Sequence, residues 1–322
     1  MSQQRQRGSA LVILVWGLNL LALFALLAIL VLFAKNQSTR LTLTAPEPTT
    51  ATPFLTRKTY PTAYYLPTIT PNPHATAIFS ETPTPFILPN GLGATLIGYS
   101  VAHRPIEVYT FGQGEKQRMI VAGIHGGYEA NTIALAEQLI LYINDHPEII
   151  PSDVTLYILP NLNPDGDARE HGIHGRVNEH GVDLNRNFPA NWVAEWDRTG
   201  CWNYAPTTAG KAPASEPETT ALVNFIMNHR IEALISYHSA ALGIFPGGEP
   251  WTEKSIRLAQ EIATVSTYPF PPIDTGCHYT GTLADFAAAH GAAAVDLELT
   301  DHKYTDFEIN LDVLQILLNW QS

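Results

Sequence analysis

The chain has 322 residues and a formal net charge of −12, with 45% hydrophobic, 10% aromatic and 15% charged residues. This apolar content excludes a wholly disordered chain, and the negative charge excludes a nucleic-acid binder that relies on phosphate contacts. Two cysteines are too few for a disulfide-rich scaffold or an all-cysteine zinc site.

These averages blend unlike segments. Residues 1–8 read as a cytoplasmic tail and 9–34 as a transmembrane signal anchor. Ala10 to Ala34 carry no charge, and Asn19 is their one strongly polar member. A helix of that length spans about 37 Å, enough for a hydrocarbon core of about 30 Å. A long cleaved signal peptide is the alternative, but no small-x-small site follows Phe33. Arg5 and Arg7 precede the span and Lys35 and Arg40 follow it. This slight asymmetry favours an inside amino terminus and an exported remainder. Residues 35–90 read as a linker. From Leu41 to Asn90 there are ten Pro and thirteen Thr in fifty residues, a composition that holds a stalk extended.

Residues 91–322 read as the globular domain. They hold 12 Lys/Arg against 28 Asp/Glu, a net of −16, while residues 1–90 carry +4. Thr95–Val101 and Ile106–Thr110 predict an opening hairpin. Met119–Ile124 predicts a buried strand ending at His125, and Thr132–Asn144 has helical spacing. Val154–Leu159 is a strand, followed by a turn at Asn163-Pro164-Asp165-Gly166. Ser215-Glu216-Pro217-Glu218 reads as a capping box opening a helix to about His229. Ala233–Tyr237 is a strand ending at His238. Thr252–Thr267 and Thr282–His290 are helices, Ala293–Leu299 is a strand carrying Glu298, and Ile309–Trp320 is a closing helix. The alternation predicts an α/β fold with a sheet covered on both faces, and its polar residues collect at strand ends, where such sheets bind ligands.

His125 and Glu129, in His125-Gly126-Gly127-Tyr128-Glu129, pair an imidazole with a carboxylate beside a helix start. Such a pair suits zinc once a third ligand arrives, and His238 is the candidate. A tight His-Gly-Gly loop and a core histidine are the plainer alternatives. Glu298, a carboxylate in an otherwise apolar strand, is either salt-bridged or a general base. Arg176 and the pair Asn185-Arg186 could stabilise an oxyanion and grip a substrate carboxylate.

Taken together, Asn163–Gly166, Arg176-Val177-Asn178, Gly181–Pro189, Ser236–Ser239 and Glu298-Leu299-Thr300 resemble the zinc carboxypeptidase family typified by carboxypeptidase A. The motifs also resemble the bacterial branch that includes murein peptide amidases. The resemblance covers about residues 93–320. It implies a mixed central sheet flanked by helices and one zinc ion held by His125, Glu129 and His238, with Glu298 as general base and then acid. It further implies that Arg176 polarises the scissile carbonyl, that Asn185 and Arg186 grip the terminal carboxylate, and that Asp183 orients His125.

The sequence departs from the family pattern in two places. Three residues rather than two separate His125 from Glu129, which the intervening glycines can absorb in a bulge. Cys277 stands where the family has a mobile tyrosine, and Tyr279 either substitutes for it or only packs. The pocket floor falls near Ala284, which announces neither a basic nor an acidic partner. Cys201 and Cys277 lie in predicted loops near the cleft, so an exported domain favours a disulfide between them, with two free thiols as the alternative. His171, His174 and His180 crowd one loop, read as solvated rather than as a second metal site.

The leading expectation is therefore a membrane-anchored, extracytoplasmic zinc metallocarboxypeptidase with a monomeric catalytic domain acting on peptides. Alternatives are the same chemistry on cell-wall peptides, a zinc deacylase, and an inactive module that binds peptide carboxy termini.

Overall fold

The computed structural model describes residues 93–321. The tail, anchor and linker expected over residues 1–90 lie outside the described residues. Among those described, no helix is long and apolar enough to cross a membrane.

The strands are β1 (Thr95–Tyr99), β2 (Pro105–Gly112), β3 (Lys116–Val121), β4 (Val154–Leu159), β5 (Ile231–Ser239), β6 (Ile244–Pro246) and β7 (Ala293–Leu299). They form one sheet in the order β1-β2-β4-β3-β5-β7-β6. β4, β3, β5 and β7 run parallel, and β1, β2 and β6 pair antiparallel at the two edges. This is the expected mixed sheet. The helices are α1 (Ala130–Asp145), α2 (Pro164–Arg169), α3 (Pro217–Met227), α4 (Glu253–Val265), α5 (Leu283–Ala289) and α6 (Phe307–Asn319).

Period-two alternation divides the core into two layers. Ile120 faces one layer with Leu139 of α1, Leu258 of α4 and Leu317 of α6. Met119 and Val121 face the other with Leu222 of α3 and Phe286 of α5. Arg118 of β3 is a charged side chain at 0% exposure. Its guanidinium donates to the carbonyls of Leu317 and Trp320 and to Glu232, tying the end of α6 to the sheet.

Several sequence expectations need correction. β3 ends at Val121, not at Ile124, because Gly123 turns the chain at φ +64°. Asn163–Gly166 opens the short helix α2 rather than a simple turn: the Asn163 side chain accepts the Gly166 N–H and Pro164 needs no donor. No capping box forms at Ser215. The N-cap of α3 is Glu216, and Glu218 instead accepts from Val101 N and Asn178 Nδ2, so tertiary partners override the local motif. The helix also stops at Met227, two residues before His229. β6 has no counterpart in the predicted elements.

Candidate metal centre and cleft

The C-terminal ends of the parallel strands build the site. His238 of β5 and Glu298 of β7 are register partners, as are Ser236 and Asp296. Side chains of paired residues emerge on the same face of a sheet. One face therefore presents His238, Glu298, Ser236 and Asp296 together.

His125 and Glu129 arrive from the loop after β3. A 3₁₀ turn over Gly126–Glu129 takes up the extra residue of the His–Glu spacing. Gly126 sits at φ +45°, and a Cβ on Gly127 would lie 2.2 Å from the Glu170 carbonyl oxygen, so both positions require glycine. His125 Nδ1 lies 2.7 Å from Glu129 Oε1, and His238 Nδ1 lies 3.2 Å from Glu129 Oε2 and 3.3 Å from His125 Nδ1. All three side chains are buried, with one ligand atom from each within 4.8 Å of the others. Two imidazoles and a carboxylate converging at this range are the donor set a catalytic zinc takes. Among the described residues this is the one such group. His171 and His180 pair separately, with Asp167 and Glu216, and build no second metal cluster.

The outward nitrogen of each ring is also held. His125 Nε2 is 3.1 Å from Asp183 Oδ1. His238 Nε2 is 2.9 Å from Ser236 Oγ and 3.5 Å from Asp296 Oδ1. Asp296 is thus to His238 what Asp183 is to His125, a carboxylate that fixes a ligand ring. The sequence reading missed it, although alternation along β7 places it on the same face as Glu298.

Arg176 donates through Nε to Asp183 Oδ2 at 2.9 Å and lies 3.5 Å from Glu129 Oε1, with its guanidinium over the Trp202 and Tyr128 rings. Arg186 is 3% exposed, donates to Asn185 O, and keeps a buried Nε with no hydrogen-bond partner. Tyr279 lies 5.1 Å from its guanidinium. Asn185 reaches the cleft, but its amide is taken up within the protein. Its Nδ2 donates to Asp296 Oδ2 at 3.3 Å and its Oδ1 accepts from Leu283 N. Its expected grip on a carboxylate therefore competes with these bonds. Cys201 and Cys277 form a disulfide, so Cys277 offers no free side chain in place of the family's tyrosine.

The electrostatics follow from burial and pairing. Burial acts to raise the Glu129 carboxyl, but His125 and His238 outweigh it and hold Glu129 below the usual carboxylate range. Burial likewise opposes, and Arg176 and His125 overcome, so that Asp183 falls well below its usual value. Burial, then the Glu129 charge, raise the Glu298 carboxyl above its ordinary value against the opposing charges of His238 and Arg176, and its buried Oε2 has no hydrogen bond. A proton-accepting group aimed at a cleft is expected to look like this.

His125, Glu129, Arg176, Arg186, His238 and Glu298 line one cavity of about 1060 Å³. Its walls also carry Trp202, Tyr204, His302, Ala284 and Asp285.

The family model described as "Zinc carboxypeptidase" matches residues 89–321. Murein peptide amidase A of Escherichia coli strain K12 is 36% identical over 129 residues, 37% of this chain and 48% of that protein. Human mast cell carboxypeptidase A is 28% identical over 200 residues, 53% of this chain and 45% of that protein. The chain thus spans about half the length of the curated relatives it matches. Among solved structures, murein-tripeptide amidase MpaA from Escherichia coli O157 is similar at a TM-score of 0.54 and 25% identity, covering 74% of this chain and 94% of that one. Carboxypeptidase A from Helicoverpa armigera aligns at 0.54 and 20% identity, covering 70% of this chain and 66% of that one, a likeness of fold.

Proposed function

The chain belongs to the zinc carboxypeptidase family, and from that premise we propose that it is a membrane-anchored, extracytoplasmic metallocarboxypeptidase that hydrolyses the peptide bond next to a free C-terminal carboxylate. The observation that carries this reading is the pairing of Glu298 and Arg186 in one cavity. Each is buried, and each keeps an atom without a hydrogen-bond partner: a bare Oε2 for a proton and a bare Nε for an anion.

His125, Glu129 and His238 would hold a zinc ion, which when bound would supply Lewis-acid chemistry for a carbonyl and a water. Asp183 and Asp296 keep the two imidazoles turned so that Nδ1 of each faces Glu129. Arg186 binds the terminal carboxylate and so places the last peptide bond beside Glu298. Glu298 accepts a proton from the attacking water as the new C–O bond forms. It returns that proton to the amine nitrogen as the C–N bond breaks. Arg176 stabilises the negative charge that develops on the carbonyl oxygen. Tyr279 lines the same cavity, its ring 5.1 Å from the Arg186 guanidinium.

Export is supported by the uncharged run Ala10–Ala34 and by the disulfide, since disulfides persist in oxidising compartments. The span over 9–34 then tethers the domain to the membrane through the Pro/Thr-rich linker. The same chemistry on cell-wall peptides is the second reading, favoured by the similarity to murein peptide amidase A and by the tether. An inactive binding module loses its support, because the three-residue gap still brings the ligand atoms within 4.8 Å.

The test is Glu298→Gln. This variant is expected to keep its zinc by metal analysis and to lose turnover of amino-blocked dipeptides by about 10²–10⁴-fold. Retained turnover overturns the role of Glu298. Mass spectrometry of digested wall peptides, set against protein-derived peptides, separates the two substrate readings.

A further inference from the structure

Resting on the carboxypeptidase reading, we propose that His302 is a substrate-binding residue of this cleft. Its Nε2 accepts a hydrogen bond from the backbone N–H of the residue that supplies the scissile carbonyl.

Buried partners fix which ring nitrogen carries the proton. Asn131, in the first turn of α1, directs its Nδ2 at the carbonyls of Asp301 and Tyr304, at 2.7 and 2.9 Å. Carbonyls only accept, so this end of the amide is the nitrogen and its Oδ1 is left as an acceptor. Ser239 Oγ lies 3.0 Å from that Oδ1 and donates its one hydroxyl proton to it. Ser239 Oγ also lies 3.0 Å from His302 Nδ1. With its proton committed, the hydroxyl oxygen can only accept, so His302 Nδ1 is the donor of this pair. In the neutral ring Nε2 then holds a lone pair. Among the described residues nothing hydrogen-bonds to Nε2, and His302 lines the cavity that holds Glu298 and Arg186.

The loop is held as firmly as the ring. Asp301 Oδ1 accepts from Lys303 N and Tyr304 N, and Thr305 Oγ1 donates to Gln138 of α1. The His302 ring packs on Tyr128, with centroids 4.8 Å apart. An exposed imidazole held by a buried serine and an aromatic ring has its orientation set before a ligand arrives. The sequence reading gave His302 no role, because Ser239, which orients it, lies 63 positions away.

Its place in the cleft indicates what it meets. Arg186, at the carboxylate end, lies against Tyr279, and Tyr279 lies against Phe245. His302 instead touches Tyr128 and Ser239, the chain neighbours of the metal ligands Glu129 and His238. The two sets of contacts have no residue in common. A peptide with its carboxylate on Arg186 and its last bond beside the ligands runs its preceding residue along the Tyr128 and His302 side. The Trp202 and Tyr204 rings continue from Tyr128 in edge contacts of 5.6 and 5.7 Å, an apolar wall for that residue. A peptide N–H that leaves water for such a wall needs an acceptor, and Nε2 supplies it.

The experiment uses the zinc-loaded full chain carrying Glu298→Gln and a matched pair of ligands. One is an amino-blocked dipeptide, the other its analogue with an ester oxygen in place of the N–H of the first residue. Calorimetry is expected to show the N–H ligand binding about three- to tenfold more tightly, the scale of one hydrogen bond. Adding His302→Phe keeps a ring against Tyr128 but removes the acceptor, and should bring the ratio to about one; His302→Leu replaces it if that variant does not fold. Equal binding of the pair before His302 is changed, or an N–H preference that survives its substitution, overturns the proposal. Nitrogen NMR of the neutral imidazole should show Nδ1 protonated and Nε2 bare, and the opposite tautomer overturns it as well. Turnover of the N–H dipeptide by the unmutated chain tests the carboxypeptidase reading separately. An N–H preference that depends on His302, without hydrolysis, overturns that reading and upholds the contact at His302.

Discussion

Replacing both Cys201 and Cys277 by Ser should destabilise the domain strongly and loosen the cleft. The bridge joins residues 76 apart in sequence. In the chain-entropy account, a loop of that length stabilises the fold by about 4.5 kcal/mol. For a domain of this size each kcal/mol moves Tm by about 2–4 °C, so the expected fall is about 9–18 °C. The effect should also reach binding. One bridged loop carries Trp202, which lies against Arg176, and the other carries Tyr279, which lies against Arg186. KM for an amino-blocked dipeptide should therefore rise more than kcat falls. Thermal unfolding of the zinc-loaded double variant and the unmutated chain, without reductant, measures the first effect, and steady-state kinetics measure the second. A Tm change under about 2 °C, with two titratable thiols in the native unmutated chain, would show that no bridge constrains the unfolded state.

Two other predictions address the cleft directly. Glu129→Gln removes a charged ligand, and Asp183→Asn removes the carboxylate that fixes His125. Zinc competition against a chelator should show affinity lowered by about 10–100-fold for Asp183→Asn, and by more for Glu129→Gln; unchanged zinc content in Glu129→Gln removes it from the ligand set. Arg186→Ala should abolish the preference for a free over an amidated peptide terminus. If the variant still prefers the free carboxylate, another residue holds it.

Where the sequence was most legible, chemistry and periodicity coincided. Val154–Leu159 and Ala293–Leu299 have the bounds expected from their apolar runs, because a buried parallel strand admits few polar residues. His125, His238 and Glu298 stood out because each interrupts or ends such a run. β6 was not legible, since Ile244–Pro246 is three residues with no periodicity and exists by pairing with β7. Asn163 and Ser215 show the limit of local motifs. Asn163 found its bond partner within three residues and capped a helix, whereas Glu218 was drawn away by Asn178 and Val101. The cleft's acids were hidden for a related reason. Asp285 and Asp296 are eleven positions apart on different elements, and only the packing of α5 against β7 brings both into the cleft.

Asp285 also makes a prediction about stability that needs no substrate. Its carboxyl, pushed up to about 6 from an ordinary 3.8, holds its proton more tightly in the folded chain than in the unfolded one. Below pH 3.8 both states are protonated, and the full contribution to stability is present. As pH rises from about 4 to 6 the unfolded carboxyl ionises first, so that contribution is progressively lost. By pH 7.5 the cost approaches about 3 kcal/mol, at 1.36 kcal/mol for each unit of pKa. Asp285→Asn keeps an acceptor for the Gly248 N–H and removes the charge. Its stability relative to the unmutated chain should therefore increase between pH 4.5 and pH 7.5 by about 2 kcal/mol, the rest of the cost falling below pH 4.5, in urea unfolding of both metal-free proteins. A difference that does not change with pH refutes the shift.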